Sequence, residues 1–216
     1  MSAPTIPDRR RYAEIAAVFL TALGKFIFMD WLDLKLPFII IAIVGWTIYV
    51  VGRARSVPGI LRYWGFSKET FWPVLRMVLP FALVSIIIFI AIGLYRDTIR
   101  LTWHIIPILI LYPIWGTIQQ FLVIALVAGN LNEIKNGTST TFIIFITALL
   151  FGLLHYPYYW LVLGTFVLAL FYGYVYLRAR NVYVMGILHG WLGAIFFYTV
   201  VGRDPFAEVF GWFVAR

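Results

Sequence analysis

The sequence predicts an all-α fold, a polytopic bundle of about seven membrane-spanning helices, and two observations carry that prediction. Of 216 residues, 63% are hydrophobic and 12% charged, against about 45–50% apolar and about 25% charged in soluble domains; mean hydropathy is +0.94. The apolar residues fall in continuous runs, many near the roughly 20 residues that one crossing requires, rather than in the alternating pattern of barrel strands.

The runs lie near 13–29, 36–52, 74–95, 101–129, 141–155, 159–177 and 182–201. The first contains Glu14 and Lys25 and has no small-residue cleavage site after it, because Phe26-Ile27-Phe28-Met29 continues the apolar stretch; it reads as a span and not as a signal peptide. The second is uncharged, and the third has Arg76 near its start. The fourth is longer than one crossing and is interrupted by Pro107 and Pro113, which predicts a bend. The fifth is short and ends at His155; the sixth ends in the basic turn Arg178-Ala179-Arg180; the seventh contains His189. Between the second and third runs, Val57–Phe71 has Trp64 and Phe66 among basic residues and is expected along the membrane interface.

The 17 Lys and Arg against 9 Asp and Glu do not form one basic face, so nucleic acid is excluded as a partner. They obey the positive-inside rule instead. Arg9, Arg10 and Arg11 precede the first span, Arg53, Arg55, Arg62 and Lys68 follow the second, and Arg178 and Arg180 follow the sixth. The turn after the first span holds Asp30, Asp33 and Lys35. An integral protein is expected, its amino terminus cytoplasmic, in a prokaryotic cytoplasmic membrane. Without cysteine, disulfides and thiolate metal sites are excluded. The organisation expected is a single integral domain, with residues 1–100 as an amino-terminal part of about three spans, 101–201 as the informative core and 202–216 as a short tail.

Four polar side chains stand out in the core. Gln119 and Gln120 are adjacent in the fourth run; His155 ends Phe151-Gly152-Leu153-Leu154-His155; His189 lies in Gly186-Ile187-Leu188-His189-Gly190. Imidazoles inside a membrane are rare and costly, so each needs a partner or a job. A single glutamine or histidine reads as packing glue, worth about 0.6 to 2 kcal/mol. Two histidines and an amide pair from three helices point instead to one buried site. Adjacent helical residues point about 100° apart, so one glutamine faces the site while its neighbour braces it. His104, beside Trp103, reads as interfacial.

The stretch from about 113 to 200 resembles the CPBP family, the CAAX-processing and bacteriocin-processing intramembrane proteases. That family carries Glu-Glu-x-x-x-Arg on one helix, Phe-x-x-x-His on the next, a glycine-centred helix ending in a basic turn, and His-x-x-x-Asn. Here the corresponding positions are Gln119-Gln120, Phe151 to His155, Gly173 to Arg180, and His189. Both glutamates are glutamines, the motif arginine falls on Ile124, and the asparagine falls on Gly193. A glutamine amide accepts and donates hydrogen bonds but is no base, so ordinary glutamate-dependent proteolysis is not expected.

The resemblance implies a divergent peptidase-like site with His155, His189, Gln119 and Gln120 as its chemical groups and Phe151 and Gly193 in substrate binding. The implied partners are membrane lipids and a lipidated peptide or transmembrane segment, and no cofactor or metal is expected. Two alternatives stand beside it. One is an inactive relative that binds a membrane segment or lipid, as an immunity or assembly factor. The other is a haem or metal protein ligated by His155 and His189, ranked last because such sites usually recruit more strong ligands.

Overall fold

A computed structural model describes residues 4–134 and 137–214. Among these, six helices are long and apolar enough to cross a membrane. They are α1 (Asp8–Gly24), continued by a π-helical stretch Lys25–Trp31, α2 (Lys35–Ser56), α4 (Phe71–Tyr95), α5 (Ile105–Gln120), α8 (Tyr159–Arg178) and α9 (Val182–Phe196). α5 runs on through a π-helical stretch Phe121–Gly129 into α6 (Asn130–Glu133), and α9 is continued by Phe197–Val201. The remaining, fifth apolar run forms α7 (Thr140–Leu153), 14 residues long. α3 (Ile60–Tyr63) and α10 (Pro205–Val214) are short connecting and terminal helices. The described residues thus match the all-helical membrane fold expected from sequence.

α2 sits at the edge and buries only Ala42, whereas every residue of Phe121–Gly129 is buried. The apolar core therefore surrounds the second half of the fourth run, with Phe121, Phe151, Tyr172, Tyr176 and Met185 fully enclosed.

α5 and α9 approach most closely. Gly186 and Gly190 form a small-residue stripe one turn apart, and Gly116 faces them. A Cβ on Gly190 would lie 2.5 Å from Pro113 N, and one on Gly116 would lie 2.6 Å from the Gly186 carbonyl. In a membrane, where apolar side chains gain nothing by leaving lipid, such close backbone contact drives association. Pro113 within α5 cannot donate to the carbonyl four residues back, that of Leu109. Trp191 of α9 takes that role, its Nε1–H donating to Leu109 O over 3.0 Å.

α5 keeps its helical course through both prolines to Gln120, and the change of helical pitch comes at Phe121, after the glutamines. Val57–Phe71 differs from the interfacial segment expected. Trp64 is 1% exposed and packs edge-on against Phe121, their ring centroids 5.2 Å apart. This segment turns into the bundle because its aromatic rings fill the core beneath α5.

One end of the bundle is closed by a buried polar network. Glu14, carried in the first span, accepts from Asn130 Nδ2 at 2.7 Å and from the Tyr49 hydroxyl. Arg11 donates to Tyr63 Oη at 2.7 Å and to Asn130 Oδ1 at 3.3 Å, and Arg180 pairs with Glu133 at 2.6 Å. These bonds tie α1, α2, α3, α6 and the α8–α9 turn together at the arginine-rich end.

Gly190→Val is expected to force α5 and α9 apart and to destabilise the protein by about 1–3 kcal/mol. Gly45→Ala, inside α2 where a Cβ meets nothing within 4 Å, is expected to leave stability intact or raise it by up to about 1 kcal/mol. Thermal unfolding in detergent compares the two.

Candidate active site

α7 carries His155 just past its last turn. Its 14 residues rise about 21 Å at 1.5 Å per residue, and Tyr156-Pro157-Tyr158 connects it to α8 at Tyr159. His155 and Tyr158 line a cavity of about 270 Å³ bounded among others by Gln119, Phe151, His189 and Gly193.

The side chains facing this cavity are fixed by specific contacts. His155 Nδ1 donates to its own helix at Phe151 O over 2.8 Å, satisfying a carbonyl that the end of α7 leaves open. His189 Nε2 donates to Gln119 Oε1 over 3.0 Å. The Phe151 ring stands beside both imidazoles, its centroid 4.9 Å from that of His155 and 5.5 Å from that of His189. Gly116 allows this arrangement, since a Cβ there would press to 3.1 Å from His189 Cδ2. Gly152 lets α7 approach α8, where a Cβ would meet Val162 O at 3.0 Å.

Five of the six residues singled out from sequence thus line one cavity: Gln119, Phe151, His155, His189 and Gly193. Gln120 does not. It is 1% exposed, points into the core, and neither amide atom has a hydrogen-bond partner among the described residues. Ile124, at the position of the family's arginine, is wholly buried among apolar side chains. Gly193 leaves open room, because a Cβ added there meets nothing closer than Tyr112 at 3.9 Å. Among the described residues, no three or more His, Asp or Glu side chains converge as a metal cluster.

The rim brings in residues the sequence reading left aside. Lys25, Asp30 and Lys35 line it from the α1–α2 side, and Pro205, Glu208 and Val209 of α10 from the other. α10 is anchored by Asp204. Its carboxylate accepts from His104 Nδ1 at 2.6 Å, Tyr198 Oη at 2.8 Å and Thr102 Oγ1 at 3.0 Å, and caps the Phe206 and Ala207 amides. Partial desolvation alone would raise the Asp204 carboxyl, but hydrogen bonds from His104, Tyr198, Ala207 N and Thr102 outweigh it and hold it below its usual value. His104, expected only at the interface, has this anchoring partner. The signal in sequence was Asp204-Pro205, an acidic cap followed by proline at a helix's first position.

Bundle and cavity together define a polytopic membrane protein with an imidazole–amide site among its helices. Residues 101–195 match the family described as Type II CAAX prenyl endopeptidase Rce1-like. No curated protein and no solved structure shows significant similarity to the chain.

Asp204→Ala removes the cap and is expected to loosen α10 by about 0.5–2 kcal/mol. Faster amide exchange over residues 205–214, with exchange in α5 and α9 unchanged, is the outcome to look for. Because the carboxyl is depressed in the folded state, its contribution is full above the ordinary carboxylate range and is lost as pH falls through the lowered value. The difference between wild type and variant therefore closes in strong acid.

Proposed function

We propose that this protein is a membrane-embedded acyl hydrolase of peptidase descent in which His155 is the general base. The orientation of that imidazole carries the reading. With Nδ1–H committed to Phe151 O at 2.8 Å, the lone pair of the neutral ring resides on Nε2, the nitrogen left for the substrate side. The glutamate-dependent route is closed, because the acidic side chains lining the cavity, Asp30 and Glu208, stand at its rim.

The reaction proceeds in two steps. His155 Nε2 takes a proton from water as the water oxygen bonds to an acyl carbonyl carbon, and the carbonyl electron pair moves onto its oxygen. Collapse of that oxyanion breaks the bond to the leaving amine or alkoxide, which receives the proton back from His155. Gln119 serves as oxyanion donor. His189 Nε2–H occupies its carbonyl oxygen at 3.0 Å, which leaves the amide N–H bonds for substrate and strengthens them by polarisation. Phe151 forms the apolar wall between the imidazoles, and the space beside Gly193 admits the acyl group. Gln120 has no contact with this cavity and acts, if at all, through the helix it shares with Gln119.

The activity named for the family, prenyl endopeptidase, makes a lipidated peptide the first substrate to test. The arginine-rich end, where Arg9, Arg10, Arg11, Arg178 and Arg180 gather, is placed in the cytoplasm by the positive-inside rule. A second reading, a relative that binds such a peptide without cleaving it, is favoured because among the described residues neither His155 nor His189 is hydrogen-bonded to a carboxylate.

In proteoliposomes, His155→Ala is expected to lower turnover of a lipidated peptide by about 10²–10⁴, and Gln119→Ala by about 10²–10³, with peptide affinity little changed. Product mass spectrometry measures both. Wild-type protein that binds the peptide and never cleaves it would establish the second reading.

A further inference from the structure

The cavity is not symmetric between the two ends of the bundle. At the arginine-rich end it is blind. The fully buried rings of Trp64, Phe121, Tyr172 and Tyr176 lie between its floor and that surface, and beyond them the Glu14–Asn130–Arg11 network closes the gap between helices. The charged side chains that line the cavity, Lys25, Asp30, Lys35 and Glu208, all stand at the opposite end.

That opposite end has a different charge balance. Lys25, Lys35, Arg96, Arg100 and Arg203 are matched there by Asp30, Asp33, Asp97, Asp204 and Glu208, several as direct pairs: Lys25 with Asp30 at 2.6 Å, Lys35 with Asp33 at 2.9 Å, and Arg203 with Glu208 at 2.6 Å. The side poorer in Lys and Arg is the one that is translocated, and these five cations compare with nine at the other end, Arg9, Arg10, Arg11, Arg53, Arg55, Arg62, Lys68, Arg178 and Arg180. The flank of the mouth is also exposed to lipid. None of the residues Lys25–Trp31 is buried, and Ile27, Phe28 and Trp31 present large apolar side chains outward.

We infer that the site opens to the extracytoplasmic face and takes its acyl substrate from an anchor held in the outer leaflet. An anchored chain approaches along the apolar flank of Lys25–Trp31, its acyl carbonyl descends past Met29, Phe38 and Trp115 to His155, and its polar portion stays at the ion-paired rim under α10. The nature of the substrate rests on the hydrolase reading above; the sidedness of the mouth does not.

The native absence of cysteine makes this directly measurable. Single variants Lys35→Cys at the rim, Gly193→Cys in the cavity and Arg62→Cys at the arginine-rich end are reacted with a membrane-impermeant cationic methanethiosulfonate. The reagent is applied to right-side-out and to inverted membrane vesicles, and Trp115→Cys replaces Gly193→Cys should that variant fail to fold. Expected is labelling of Lys35→Cys and Gly193→Cys in right-side-out vesicles and of Arg62→Cys only in inverted ones. Labelling of Gly193→Cys only in inverted vesicles overturns the inference. So does a folded cavity variant that reacts from neither face. No turnover is needed, so the same pattern in a His155→Ala background separates the sidedness of the mouth from the chemistry within it.

Discussion

The contact between α5 and α9 is the constraint on which the rest of this molecule depends. Gly116, Gly186 and Gly190 bring two backbones close enough that no Cβ fits between them, and the hydrogen bond from His189 to Gln119 exists only at that separation. A neighbouring helix in lipid has no hydrophobic reason to pack. Small residues and the groups they allow to meet therefore decide where the polar side chains end up. His155 joins from a third helix, just past the end of α7, and Gly152 lets that helix approach α8.

The two ends of the bundle solve the problem of buried polarity in opposite ways. At the arginine-rich end, charges are satisfied by one another: Glu14 by Asn130 and Tyr49, Arg180 by Glu133. Burying such groups costs several kcal/mol each unless the partners are complete, and here they stitch five elements together. At the other end polarity is left available. His155 keeps one ring nitrogen for the cavity, and Gln119 keeps its amide hydrogens, so the site has binding capacity that the network lacks.

Much of this was legible in the sequence. Run lengths near 20 residues placed the spans to within a few positions. His155, His189 and a glutamine meet in one cavity as the motif spacing implied. What remained hidden had physical causes. Which glutamine faces the cavity depends on helix rotation, set by Gly116 packing on α9, and this favours Gln119 and buries Gln120. The inward turn of Trp64 depends on space beneath Phe121 that no local pattern reports. The chain after 201 looked like a tail because its ten-residue helix, Pro205–Val214, is ordered by Asp204 contacts to residues about 100 positions away in sequence, His104 and Thr102.

Pro113 leaves Leu109's carbonyl without its own helix's donor, and Trp191, in the last span, supplies the replacement. During synthesis the earlier segment enters the bilayer long before its partner has been made. That carbonyl, and the gap beside Gly116, must then be tolerated or shielded through the insertion of two further spans. The pocket is accordingly the last part of the molecule to come into being, and a nascent polypeptide stopped before α9 would be embedded but chemically empty.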